Sequence, residues 1–188
     1  MTLKKLYITP FLILIGSSLA SFSQQQPKNN DVLDLFRDTA TNEYGYKDSK
    51  GNIAIPPGKY GRCYTEAFRT YAIVEDPQKG LVAIDRQEHI LYQVFIFDNG
   101  LDDSSDGLFR ILVKNRIGYA DYSTGKIVIY PQFVCAWPFE HGIAKVSIDC
   151  QKRSDGEHST WLSNDWYYIN KAGKKVNPPR IKNSNNML

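Results

Sequence analysis

Four short stretches of the chain share one pattern of bulky apolar residues set among small or polar ones. They are Tyr44-Gly45-Tyr46-Lys47-Asp48, Leu81-Val82-Ala83-Ile84-Asp85, Ile117-Gly118-Tyr119-Ala120-Asp121 and Trp166-Tyr167-Tyr168-Ile169-Asn170. Aromatic and branched residues in such runs predict strands. Each run closes on Asp or Asn, and that residue recurs after 37, 36 and 49 positions. Gly51, Gly125 and Gly173 follow at offsets of three, four and three. An Asp side chain accepts from a following backbone amide and Gly accepts positive φ, so this segment predicts a turn. A second strand comes next, Ile53-Ala54-Ile55 or Ile127-Val128-Ile129, with its larger residues on one face. Pro57, Pro131 and Pro179 lie six positions after their glycines and are expected to end it, because proline cannot donate to a ladder. A third run completes the period: Tyr71 to Val74 after Ala67-Phe68, Leu108 to Val113 after Gly107, and Ile143 to Val146 after Pro138-Phe139.

Three linked elements recurring together define tandem repeats, each period of about 36 residues reading as one antiparallel three-stranded unit. A sheet that small cannot bury both faces alone, so neighbouring units must supply its core. The expected fold is all-β: three-stranded repeat units packed as a short array, as a solenoid or as a partial barrel or propeller. The repeat region spans 43–179, divided into 43–79, 80–115, 116–150 and a partial 165–179. The interval before the last unit is 13 residues longer than the others and leaves an insertion at 151–164. That insertion is polar and turn-rich, and insertions in repeat arrays collect on one face, often the binding face. Residues 24–42 are a leader, within which Val32 to Phe36 is expected to cap the first repeat.

The units resemble the WG repeat, a bacterial β-repeat whose pattern joins Trp-Gly-Tyr/Phe-Ile-Asp, a Gly turn, an Ile-Val-Ile-Pro-like strand and a Phe-x-x-Gly-Leu-Ala-x-Val strand. Gly118 to Asp121, Gly125 to Pro131 and Phe139 to Val146 match it best, and the first repeat matches through Gly45, Tyr46, Asp48, Gly51 and Pro57. The namesake Trp-Gly pair is absent, since Trp166 is followed by Tyr167 and the other positions hold Tyr44, Leu81 and Ile117. Repeat two lacks the turn glycine and the proline, with Glu88 and Val94 at or near those places. The resemblance implies a secreted or surface repeat protein, generally assumed to bind something, and no catalytic residues.

The two ends of the chain differ from the repeats. Lys4 and Lys5 precede an apolar run from Leu6 to Ala20, and small residues Ser21 and Ser23 stand before Gln24. This is the pattern of a secretory signal peptide over 1–23. The run is about 15 residues, short of the ~20 that span a bilayer, so no transmembrane segment is expected after cleavage. Localisation is expected to be exported: periplasm, outer surface or extracellular. The segment 180–188 is a basic polar tail. The whole chain carries a formal charge of +3 with 23 basic and 20 acidic residues, and loss of 1–23 brings it to +1. That balance argues against a nucleic-acid partner, which needs a strong cationic excess.

Candidate chemistry is sparse. His89, His141 and His158 form no helical ligand pair. No Gly-x-Ser-x-Gly elbow or Gly-rich phosphate loop occurs. Asp102 to Gly107 opens like a calcium loop, but position 12 is Val113 where a bidentate Glu should close the sphere, so it reads as an acidic turn. No cofactor, metal site or catalytic residue is therefore assigned. Of the tryptophans, Trp166 holds the repeat's core aromatic place, with Trp137 unassigned and Trp161 expected to be the most exposed, and so the binding candidate. Three cysteines leave at least one thiol unpaired within the chain. Cys63 and Cys135 hold similar places two repeats apart. Cys135 and Cys150 flank a strand whose seven residues span about 23 Å. No intrachain disulfide is expected. The function expected is non-enzymatic: a monomeric binding or scaffold protein of the bacterial cell envelope, engaging a protein or glycan. The alternative is a small secreted hydrolase whose carboxylates assemble in the folded array.

Overall fold

The computed structural model describes residues 31–97, 100–154 and 159–178; the expected signal segment 1–23, Pro179 and the tail 180–188 lie outside them. All regular structure among the described residues is strand. β1 (Leu33–Arg37), β2 (Tyr44–Lys47) and β3 (Ile53–Ile55) form a first antiparallel meander. After the short β4 (Ala67–Phe68), β5 (Tyr71–Asp76), β6 (Gly80–Asp85) and β7 (Ile90–Val94) form a second. The pair β8 (Ile96–Phe97) and β9 (Gly100–Leu101) leads to a third, β10 (Leu108–Val113), β11 (Arg116–Asp121) and β12 (Ile127–Phe133). Next come β13 (Cys135–Ala136), β14 (Ile143–Ser147), the hairpin β15 (Gln151–Ser154) and β16 (Ser159–Leu162), then β17 (Tyr167–Asn170) and β18 (Lys175–Val176).

The fold is the expected all-β array of antiparallel units, with one difference of phase. The third strand of each sequence period pairs with the first strand of the next: β5 with β6, β10 with β11, β14 with β17. Each structural meander thus takes one strand from one period and two from the following one. β1 plays this part for repeat one, so Leu33–Arg37 is an integral strand rather than a cap. Between β10 and β11 the reversal is a two-residue turn, Lys114 and Asn115, both at positive φ. That is the turn whose twist suits adjacent antiparallel strands.

Meanders two and three fuse through β7 and β10 into a six-stranded sheet, and four-stranded sheets built on meanders one and four flank it. Among the described residues the strand orders are open, with no closed barrel. Cores form between units, as the size of one unit requires. Tyr46, Ile55 and Phe68 pack with Val74, Val82 and Ile84, and Tyr119, Ile129 and Phe139 pack with Val146 and Ile169. A third cluster joins Tyr71, Ile73 and Tyr92 to Phe109 and Ile111, so the two halves of the six-stranded sheet pack on each other.

The recurring Asp or Asn builds each turn after the first strand. Asp48 Oδ1 accepts from the amides of Lys50 (2.9 Å) and Asn52 (2.8 Å), and Asp85 Oδ1 from those of Gln87 and His89 (both 2.9 Å). Asp121 accepts from Thr124, and Asn170 from Ala172 and Lys174. The Asn52 amide side chain holds the Asp48 carboxyl below its ordinary range, and the Ser123 hydroxyl does so for Asp121. Gly51, Gly125 and Gly173 adopt positive φ in these turns; in repeat two Glu88 takes that strained conformation at φ 64°.

The recurring glycine and proline explain each other. Tyr130, Pro131 and Gln132 bulge opposite the single residue Gly118, between the pairs Ile117–Phe133 and Tyr119–Ile129. A Cβ at Gly118 would lie 2.5 Å from Ile129 O and 2.6 Å from Pro131 N; at Gly45 it would lie 2.5 Å from Ile55 O and 2.8 Å from Pro57 N. Pro131 does not end its strand as expected, because the bulge absorbs the missing donor and β12 continues to Phe133. In repeat two, Val82 and Ala83 pair one to one with Gln93 and Tyr92. With no bulge there, neither glycine nor proline is needed.

The cysteines correct the sequence reading. Cys135 and Cys150 form a disulfide with Cα atoms 6.1 Å apart. The expectation of free thiols assumed that nothing ran back along the strand between them. β13 does, pairing antiparallel with β14 so that Cys135 faces Ser147. Cys63 is a buried free thiol; its bridge to Val74 gives it the place of Ala136, which faces Val146, and not the place of Cys135.

Candidate binding clefts

A short segment before each third strand runs back along that strand and places one aromatic residue at the same register position. Tyr64 N donates to Ile73 O (2.9 Å), Phe95 N to Arg110 O (3.1 Å) and Trp137 N to Lys145 O (2.9 Å). Tyrosines of the first strands pin this segment from below in repeats one and three. Tyr46 OH donates to Thr65 O at 2.7 Å and Tyr119 OH to Trp137 O at 2.6 Å. Both tyrosines also meet a phenylalanine edge-on, Phe68 at 5.3 Å and Phe139 at 4.7 Å. Burial pushes both hydroxyls to raised pKa values, so they stay protonated as donors.

Two clefts open where these segments leave the sheet. The first, about 400 Å³, includes Tyr64, Glu66, Arg69, Tyr71, Ile73 and Tyr122 in its lining. The second, about 390 Å³, is lined by Trp137, Pro138, Glu140, His141, Ile143, Lys145 and Tyr168. They are the same cleft in two repeats: Tyr64 corresponds to Trp137, Tyr71 to Ile143 and Ile73 to Lys145. Each lining holds a single carboxylate, Glu66 or Glu140, and a base, Arg69 or Lys145. Aromatic walls with a few polar groups are the usual make-up of a ligand site.

Repeat two fills the same place from within the chain. Arg110 stands where Ile73 and Lys145 stand and is 1% exposed. Asp102 grips it in a fork: Oδ1 accepts from Nη2 at 2.5 Å and Oδ2 from Nε at 2.9 Å, while Nη1 donates to Ala136 O. The guanidinium lies 4.3 Å from the Phe95 ring centre. Asp102 is therefore engaged by arginine, and Asp106 accepts from the Gly142 amide at 2.6 Å, so the calcium-like run is a set of structural turn contacts. No cluster of three or more metal-ligating side chains occurs among the described residues.

Trp161, the sequence candidate, is half-buried. It meets Phe95 edge-on at 5.9 Å and Trp137 at 5.6 Å, and so braces the aromatics of repeats two and three. The most exposed tryptophan is Trp137, at 40%. Trp166 is half-buried with Lys145 Nζ 4.9 Å from its ring. The insertion carrying Trp161 is anchored at its base by the Cys135–Cys150 bridge and by the contact between the Ser147 and Ser163 hydroxyls (2.8 Å). His89 is a turn residue with Nδ1 3.1 Å from Asp85 Oδ2, His141 lines the second cleft, and His158 lies outside the described residues. The sequence reading missed Glu140, Lys145 and Tyr168 as a group. The available signal was the alternation that sends Lys145 and its ladder partner Tyr168 to one face.

The architecture defines a tandem β-repeat protein with recurring surface clefts. The WG containing repeat family matches residues 44–67 and 117–149, and the chain carries WG-type β-repeats there. Those stretches belong to repeats one and three, the two in which a first-strand glycine lies close against a proline. No curated protein matches the chain. No helix among the described residues is long and apolar enough to cross a membrane.

Proposed function

We propose that the protein is an exported, non-enzymatic binding or scaffold component of the bacterial cell envelope, engaging a protein or glycan through its β-repeat surface. The observation that carries this reading is the recurrence of one cleft at one register position in two repeats. A catalytic centre needs a single convergent set of groups, whereas a repeated shallow cleft suits contact spread over a surface. Glycoside hydrolysis in particular uses two carboxylates about 5 to 9.5 Å apart, and each cleft lining holds one. The disulfide supports export, since such bonds persist in oxidising compartments.

The test is affinity capture from envelope extract with the mature chain beside its Trp137→Ala variant. A stoichiometric partner held by the parent and lost by the variant supports the reading. Turnover of a glycan substrate that disappears with Glu140→Gln or Glu66→Gln overturns it in favour of a hydrolase. N-terminal sequencing of exported material should begin at Gln24, and an intact Met1 refutes the processing.

A further inference from the structure

We propose that the Trp137 cleft is a subsite for a pyranose ring of an uncharged polysaccharide, an inference that rests on the binding reading above and assigns its ligand class. A sugar ring presents an apolar C–H face and a rim of hydroxyls that both donate and accept. The cleft supplies a counterpart to each. Trp137 is 40% exposed and carries the largest aromatic side chain in the lining. Its backbone is tied at both ends, N–H to Lys145 O at 2.9 Å and C=O to Tyr119 OH at 2.6 Å. Its ring is braced edge-on by Trp161 at 5.6 Å. Little conformational freedom remains to be lost on binding, which favours a weakly polar ligand that cannot supply strong charge pairing.

The rim residues decide the charge of the ligand. Tyr168 is the ladder partner of Lys145 and Trp137 N donates to Lys145 O, so the two aromatics stand on either side of the Lys145 backbone, while the ammonium itself lies 4.9 Å from the Trp166 ring. Glu140 and His141 stand opposite, from the loop that precedes β14. The lining thus carries a carboxylate acceptor, an ammonium donor, a phenol and an imidazole, which together match hydroxyls in either sense. An anionic polymer would meet Glu140, and a cationic one Lys145, each at the cost of a like charge. The first cleft repeats the balance with Glu66 and Arg69. A peptide segment would meet the rim groups with its amides but presents no ring that joins an apolar C–H face to a hydroxyl edge, and the test below separates the two. The occupant that engages ring and rim together is a neutral glycan.

Affinity electrophoresis of the mature chain through gels containing pullulan, glucomannan, hydroxyethyl cellulose or laminarin tests this, with alginate and polylysine gels as charged arms. The expected result is retardation by at least one neutral polymer, accompanied by a shift of tryptophan emission. Trp137→Ala should weaken that binding at least tenfold, and Trp137→Phe should retain part of it. Retention of cooperative unfolding by each variant shows that the fold is intact. Retardation only by a charged polymer, no retardation by any neutral one, or equal retardation of the parent and Trp137→Ala overturns the proposal. A protein partner captured from extract through Trp137, in the absence of any glycan retardation, would overturn the glycan assignment while leaving the binding reading in place.

Discussion

Repeats one and three solve the same packing problem alike, and repeat two solves it differently. In the outer pair, a tyrosine fills the space under the third strand, touches a phenylalanine edge and donates to a carbonyl of the overlying segment. In repeat two the tyrosine is Ala83, and the third strand sends Arg110 into the interior, held by Asp102. A tyrosine–phenylalanine pair buries no charge, whereas a buried guanidinium–carboxylate fork leaves an uncompensated charge when its partner is lost. The middle repeat is therefore the least forgiving part of the array. It is also where the insertion's Trp161 leans on the chain, through Phe95.

The sharpest way to break the contrast is Asp102→Ala, which strands the Arg110 charge in a buried site. A loss of about 3–5 kcal/mol is expected in denaturant unfolding. The double variant Asp102→Ala/Arg110→Met should recover part of that loss, because the stranded charge is gone while the Arg110 amide still lacks its acceptor, Asp102 Oδ2 at 3.0 Å. Next in size is the disulfide of repeat three, for which repeat one has no counterpart. Removing Cys135 and Cys150 together should cost about 3 kcal/mol for a loop of this length. Thiol counting on denatured, unreduced protein should find one thiol per chain, and three would refute the bridge. Third is Gly118→Ala, which drives a Cβ against backbone atoms that cannot rotate away and should cost about 1–3 kcal/mol. The repeat-two equivalent already carries a valine, so Val82→Ile should be felt only as ordinary overpacking. The smallest effect is expected at Glu88. Changing it to Gly relieves positive φ, worth about 1 kcal/mol, but removes acceptors from Lys59 Nζ (2.8 Å) and Tyr60 OH (2.9 Å). Thermal unfolding should therefore show a net change within about 0.5 kcal/mol.

Legibility followed sequence distance. The Asp48, Asp85, Asp121 and Asn170 turns were readable because side chain and amide lie within four residues. The glycine–proline spacing was visible as a pattern, but its cause was not, since the contact between Gly118 and Pro131 depends on a bulge that only pairing creates. Strand phase was missed although Lys114-Asn115 is a two-residue reversal and so ties β10 to β11. The disulfide was misjudged for want of two residues, Cys135 and Ala136, whose brief strand folds the chain back. Asp102 hid within an acidic run, where nothing marks one carboxylate as the partner of an arginine eight residues on. The clue was Arg110 itself, lone among Leu108, Phe109, Ile111 and Leu112 at a register place held by Ile73 in the preceding repeat. Trp161 was favoured over Trp137 because exposure depends on neighbours brought from other repeats.

The half-step between sequence period and structural meander bears on how such a chain grows. Because each meander straddles a period boundary, the joint between neighbouring repeats includes covalently continuous chain beside the cores packed between units. A duplicated stretch one period long restores the same three-strand set wherever its endpoints fall. Gene-level slippage with arbitrary breakpoints would thus still yield a properly stitched additional unit.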